Sequence, residues 1–142
     1  MSDVDAANEP GAVQDPQAGR RRILQVCGSA AGGVRAHLAD CARLLAADGH
    51  DVIVEAPAAV LDGLDIEPAR AEPLEIGPRP SLNDTLAVAR LRRLGRRADV
   101  LHAHGLRAGA LAALALGRRR RGRTRLVVTL HNLTVGGRLT TL

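Results

Sequence analysis

The feature that most constrains this chain is an alternation of short apolar runs with stretches of helical period. Ile23-Leu24-Gln25-Val26 is a nearly continuous apolar run, the pattern of a strand covered on both faces. A loop of tiny residues follows, Gly28-Ser29-Ala30-Ala31-Gly32-Gly33. From there Val34, Leu38, Cys41 and Leu45 recur at i, i+4, i+7 and i+11, which places them on one helical stripe. Asp48-Gly49-His50 closes that helix, with Gly49 as the left-handed cap. Asp51–Ala56 is the second strand, stopped by Pro57, and residues 57–72 read as irregular. Pro73–Ile76 makes a short third strand, and Ser81 or Asn83 caps a helix running to about Arg97, broken late by Gly95. Asp99–Ala103 is the fourth strand, Leu106–Leu116 an Ala-rich helix ending at Gly117, and Leu126–Leu130 the fifth strand. Such alternation implies right-handed crossovers, hence an α/β fold with a doubly wound parallel sheet of about five strands.

Composition sharpens this. The 142 residues include no Phe, Tyr or Trp, so the core must be built from Leu, Val, Ile and Ala. Without aromatics there is no platform on which bases stack, and no helix-turn-helix or zinc module is visible, so nucleic acid is not an expected partner. All 20 basic residues are arginine, which excludes chemistry that needs a phosphate-loop, Schiff-base or kinase-type lysine. Residues 1–19 carry Asp3, Asp5, Glu9 and Asp15 with no basic residue, and read as a disordered acidic tail. Residues 20–142 form the single domain, strongly basic because every arginine falls within it. Such a body favours phosphorylated ligands or anionic membrane surfaces. The run Arg118–Arg121 reads as a solvated loop, with docking to anionic lipid as the sharper alternative. The longest apolar stretches fall short of the ~20 residues that span a bilayer, and no secretory leader is visible, so a cytoplasmic location is expected. Cys27 and Cys41 are too few for a disulfide scaffold and read as small apolar residues.

Topology says which residues meet. Ligands of doubly wound sheets sit beyond the C-terminal strand ends, where the strand order reverses. With the order 3-2-1-4-5, the first and fourth strands are neighbours there. The Gly28–Gly33 loop and the His102-Ala103-His104-Gly105 turn then open into one crevice, with His131 one strand further along. Gly32 and Gly33 let the backbone approach an anion at the positive end of the following helix, or serve only as a tight turn. The loop does not have the dinucleotide spacing, although Glu55 can imitate the ribose-binding acid of a nicotinamide site. His102 and His104 share one face of their strand and, with His131, offer three imidazoles to a zinc ion. No carboxylate or further histidine clusters with them, and no metal is expected. His102 suits a buried structural role and His104, at the mouth, a ligand role. Arg107 faces either an anionic ligand or water.

The ordered series Gly28-Ser29-Ala30-Ala31-Gly32-Gly33-Val34, Ala47-Asp48-Gly49-His50-Asp51-Val52, Asp99-Val100-Leu101-His102-Ala103-His104-Gly105 and Val127-Val128-Thr129-Leu130-His131-Asn132 resembles the N-terminal half of family-4 glycosyltransferases, the retaining enzymes of GT-B architecture. The resemblance covers roughly residues 22–135. It implies two Rossmann-like halves around a cleft, the N-terminal half holding the acceptor and the C-terminal half a nucleotide-sugar donor. It places Gly32 and Gly33 near donor phosphate and acceptor, makes His104 the residue that contacts the transferred sugar, and sets His131 along the cleft. The reaction it implies moves a sugar to an acceptor hydroxyl with retention, without a cofactor or bound metal. The partners it implies are a nucleotide-sugar and an acceptor that is a small molecule or a lipid, to which the arginines add peripheral contact with the inner face of an anionic membrane. The family's paired glutamates and donor-binding half lie beyond Leu142, so the chain alone is expected to be inactive, with the missing half as its intramolecular partner. The alternative is a stand-alone module that binds a nucleotide or phosphate ligand without catalysis.

Overall fold

The computed structural model describes residues 19–117 and 124–131. The acidic tail up to residue 18, the arginine run 118–121 with Arg123, and residues from Asn132 onward lie outside that range. The element order is β1 (Arg22–Cys27), α1 (Gly32–Ala47), β2 (Asp51–Ala56), α2 (Ala58–Leu61), β3 (Arg70–Pro73), α3 (Asn83–Gly95), β4 (Val100–His104), α4 (Leu106–Leu116) and β5 (Arg125–Thr129). All pairings are parallel and the strand order is β3-β2-β1-β4-β5, the order on which the placement of the crevice depends. Helices cover both faces, so the sheet is doubly wound. Among the described residues no helix is long and apolar enough to cross a membrane.

The parallel register decides which side chains share a face. Leu24 and Val26 of β1 and Leu101 and Ala103 of β4 pack under α3 and α4, against Leu91, Leu111 and Ala112. The alternate residues Ile23 and Cys27, with Val52, Val54 and Ala56 of β2, pack under α1 against Leu38 and Ala42. Without aromatic rings the layers must lie close, and Gly109 shows how close. A Cβ there would stand 2.8 Å from a methyl of Val128, so the lack of a side chain lets α4 rest on β5.

Three local expectations are corrected. The third strand is Arg70–Pro73 and not Pro73–Ile76. The apolar signal came from Leu74 and Ile76, which are buried beneath α3 just after the chain leaves the sheet, whereas the strand itself is exposed along its length. Residues 57–72 are not wholly irregular, since they contain α2 and most of β3. Neither Ser81 nor Asn83 caps α3. The capping position is Leu82, Thr85 Oγ1 donates to its carbonyl at 2.7 Å, and Asp84 accepts the Ser81 N–H at 3.3 Å.

Glu55 and Arg90 tie α3 to the sheet. Glu55 is fully buried, pairs in register with Glu72 on β3, and lies 3.0 Å from Arg90 Nε, while Arg90 also donates to Glu72. Enclosed in this way, Glu55 does not reach a ribose in the cleft, which removes the nicotinamide reading. Burial raises its pKa to about 7 in spite of the arginine. A carboxyl whose folded pKa lies above its unfolded value binds its proton more tightly when folded. Its contribution is therefore present below about pH 4.5 and declines as pH rises toward 7. Glu55→Gln, which mimics the protonated state, should gain stability relative to the parent by up to about 3 kcal/mol between those pH values. Parallel urea melts check this, and a pH-independent difference between the two proteins would refute it.

Candidate functional site

The C-terminal ends of β1, β4 and β5 lie in one row, with Cys27 opposite His104 and His104 opposite Thr129. Because paired residues of parallel strands point to the same face, Gln25, His102, His104 and Thr129 all rise on the α1 side. A cleft of about 350 Å³ opens beside them, lined by Gly28, Ser29, Gly77, His104, Arg107 and His131 among others. This is the crevice expected from topology, at the reversal of strand order.

His104 is the innermost polar side chain, 2% exposed. Its Nε2 lies 2.5 Å from Gln25 Oε1 and its Nδ1 lies 3.3 Å from His131 Nε2. An amide oxygen can only accept, so the Nε2 proton points at Gln25 and Nδ1 keeps its lone pair toward His131 and the cleft. Burial, reinforced by His102, His37 and His131, drives the His104 pKa down to about 3, so the ring is neutral at physiological pH. His102 is half-buried, stacks on His104 with centroids 4.1 Å apart, and bonds Thr129 Oγ1 at 2.7 Å. Its pKa is lowered chiefly by burial. It therefore takes the structural role expected of it.

A fourth imidazole joins the group. His37 of α1 places its ring 5.6 Å from His104 and 5.1 Å from His131. The ring atoms that converge belong to His37, His104 and His131, and not to the grouping of His102, His104 and His131 that the sequence offers, because His102 turns to Thr129. His37 was not anticipated, because nothing in its spacing marks it. The only pointer is that it is exposed beside the buried Leu38, on the turn of α1 that overlies the end of β4. Its Nε2 also lies 3.4 Å from Sγ of Cys41, which is half-buried. Cys27 is buried, with its thiol pKa raised to about 11 by burial, and neither cysteine is paired.

Gly32 and Gly33 lie at the first turn of α1, Gly32 at φ +56°, and both are exposed with open space around them. Neither borders the cleft, and the portion of that loop that does is Gly28-Ser29. Arg107 borders the cleft but is committed elsewhere. It makes two bonds to the Asp84 carboxylate, at 2.8 and 3.1 Å, and donates to the carbonyls of Gly77 and Arg79. The Arg107 bonds hold the Asp84 carboxyl below the usual carboxylate range. Arg107 is therefore a clamp between α4, α3 and the loop after β3, with most of its donors engaged within the protein.

The turn that delivers His104 depends on Gly105. At φ +92° it occupies a conformation that L residues avoid, and its N–H donates to the Thr129 carbonyl at 2.8 Å. Residues 32–141 match the family model of the Glycosyl transferase 4-like domain. No curated protein matches the chain. Gly105→Ala should cost about 1–2 kcal/mol by denaturant melt, because its backbone is strained whatever the surrounding space. An unchanged midpoint would show that the turn relaxes freely.

Proposed function

The chain belongs to the glycosyl transferase 4-like family, and we propose that it forms the N-terminal, acceptor-side half of a retaining GT-B glycosyltransferase. In this reading the domain begins at about residue 20, and a donor-binding half closes over the cleft beside β1, β4 and β5. A nucleotide-sugar supplies the glycosyl group and an acceptor hydroxyl receives it.

One observation carries the reading: a neutral imidazole fixed in orientation at the C-terminal end of β4, in a chain of this family. Gln25 holds the Nε2 proton of His104, so Nδ1 presents a lone pair that can accept from a sugar hydroxyl. Rotation costs little in binding, because packing against Gln25 and His102 has already fixed the ring. His131 extends the polar wall of the cleft. Gly32 and Gly33, at the open N-terminus of α1, suit a phosphate approaching from the donor half, where the unpaired N–H groups of the first turn favour negative charge. Stabilisation of the leaving phosphate is the main catalytic contribution expected there.

The alternative of a free-standing phosphate-binding module is less well supported, because Arg107, which lines the cleft, is engaged by Asp84. The exposed arginines at the end of α3, Arg92, Arg93, Arg96 and Arg97, support a cytoplasmic protein that touches the inner face of an anionic membrane peripherally.

The test is turnover of a nucleotide-sugar by this chain joined to a donor-binding half. His104→Ala should lower kcat by about 10²-fold or more with an unchanged circular dichroism spectrum. Near-parental kcat would remove His104 from the reaction, and binding of a sugar nucleotide to the isolated chain as tight as to the joined protein would favour the module.

A further inference from the structure

We propose that His37, His104 and His131 form a binding site for a divalent transition-metal ion of the imidazole-preferring class, represented by Zn²⁺. The three residues come from α1, the end of β4 and the segment just after β5, and one ring nitrogen of each lies within 4.8 Å of the others. The His104 Nδ1 to His131 Nε2 distance is 3.3 Å. Two nitrogens bound to one tetrahedral zinc at about 2.0–2.1 Å stand about 3.4 Å apart. Two of the three ligands are therefore already at coordination spacing. The third, His37, is exposed on a helix surface and needs only a side-chain rotation to close on them.

The surroundings supply what such a site requires. A ligating histidine characteristically donates its other ring N–H to a fixed acceptor, which sets the tautomer and orients the ring. Gln25 Oε1 is that acceptor for His104, at 2.5 Å and wholly buried. In the metal-free protein His131 Nε2–H donates to His104 Nδ1. An ion entering between them requires His131 to carry its proton on Nδ1 instead, a tautomer change with no net loss of a proton. Three neutral imidazoles leave the ion its full charge, and among the described residues no carboxylate lines the cleft to offset it. The fourth position faces the 350 Å³ opening, where water or an anionic oxygen completes the shell.

This assignment goes beyond sugar transfer and does not depend on it. The ion would occupy the same His104 nitrogen that a sugar hydroxyl would use, so metal and sugar exclude each other. Binding is therefore measured on the chain itself, without an activity assay.

The experiment titrates Zn²⁺ into the full chain against a chromogenic chelator and repeats the measurement with Co²⁺, whose visible absorption reports four-coordination. One equivalent should bind. His37→Ala and His131→Ala should each weaken binding by about tenfold or more and abolish the four-coordinate Co²⁺ spectrum. His37→Ala removes an exposed side chain, so its melting temperature should match the parent and establish that the loss is not unfolding. Cys41→Ser and His50→Ala should bind as the parent does. Absence of stoichiometric binding, parental affinity in the His37→Ala, His131→Ala double variant, or loss of binding on substituting Cys41 or His50 would each overturn the assignment.

Discussion

The pairing of β1 with β4 is the constraint on which everything else rests. It joins segments far apart in sequence and sets Cys27 against His104 and Gln25 against His102. Given that register, the bond between His104 and Gln25, 79 residues apart, follows from the alternation of side chains along each strand. A slip of one residue would turn both histidines of β4 away from α1 and bury them against α3 and α4. The apolar residues enforce the register, because Leu24, Val26, Leu101 and Ala103 must face one layer together. The polar site is thus positioned by hydrophobic packing on the opposite face of the same strands.

The absence of aromatic residues gives the imidazoles an unusual share of the packing. In the α1 layer the planar groups are histidines, with His102 stacked on His104 and the rings of His37 and His131 set around them. Packing polar rings so closely would be costly if each enclosed ring nitrogen faced hydrocarbon. Thr129 and Gln25 take the nitrogens that point into the protein, which leaves His104 Nδ1 and His131 Nε2 to each other. Charge would defeat this arrangement, and the depressed pKa of His104 follows from its burial first and from the neighbouring imidazoles second.

Much of this was legible in the sequence, for identifiable reasons. Alternation of elements implies a parallel doubly wound sheet, and given the order 3-2-1-4-5 the topology sets His104 and His131 on neighbouring strand ends. What could not be read was the partner of each side chain. Nothing local distinguishes Arg107 facing a ligand from Arg107 clamping Asp84, because the clamp closes across 23 residues and depends on how α3 packs on α4. His37 was invisible for a similar reason, since a helix period identifies the buried stripe and says little of what its edge overhangs. The third strand was misplaced because burial and pairing part company there. Leu74 and Ile76 are core residues outside the sheet, and the edge strand before them pairs with all its side chains exposed.

The two faces of the sheet handle buried polarity in opposite ways. Beneath α3, Glu55 is compensated by Arg90, an ion pair whose desolvation is offset only in part, so its carboxyl still titrates high. Beneath α1, Gln25 and His104 meet as neutral groups, and the bond between them needs no counter-ion. The first arrangement locks a helix to the edge of the sheet and leaves little to spare for a ligand. The second satisfies the Gln25 carbonyl oxygen and one nitrogen of His104 while leaving the other nitrogen directed at the cleft. A site able to accept from an incoming group therefore belongs on the α1 face, at the end of β4, and the same neutrality that permits its burial is what keeps its lone pair available.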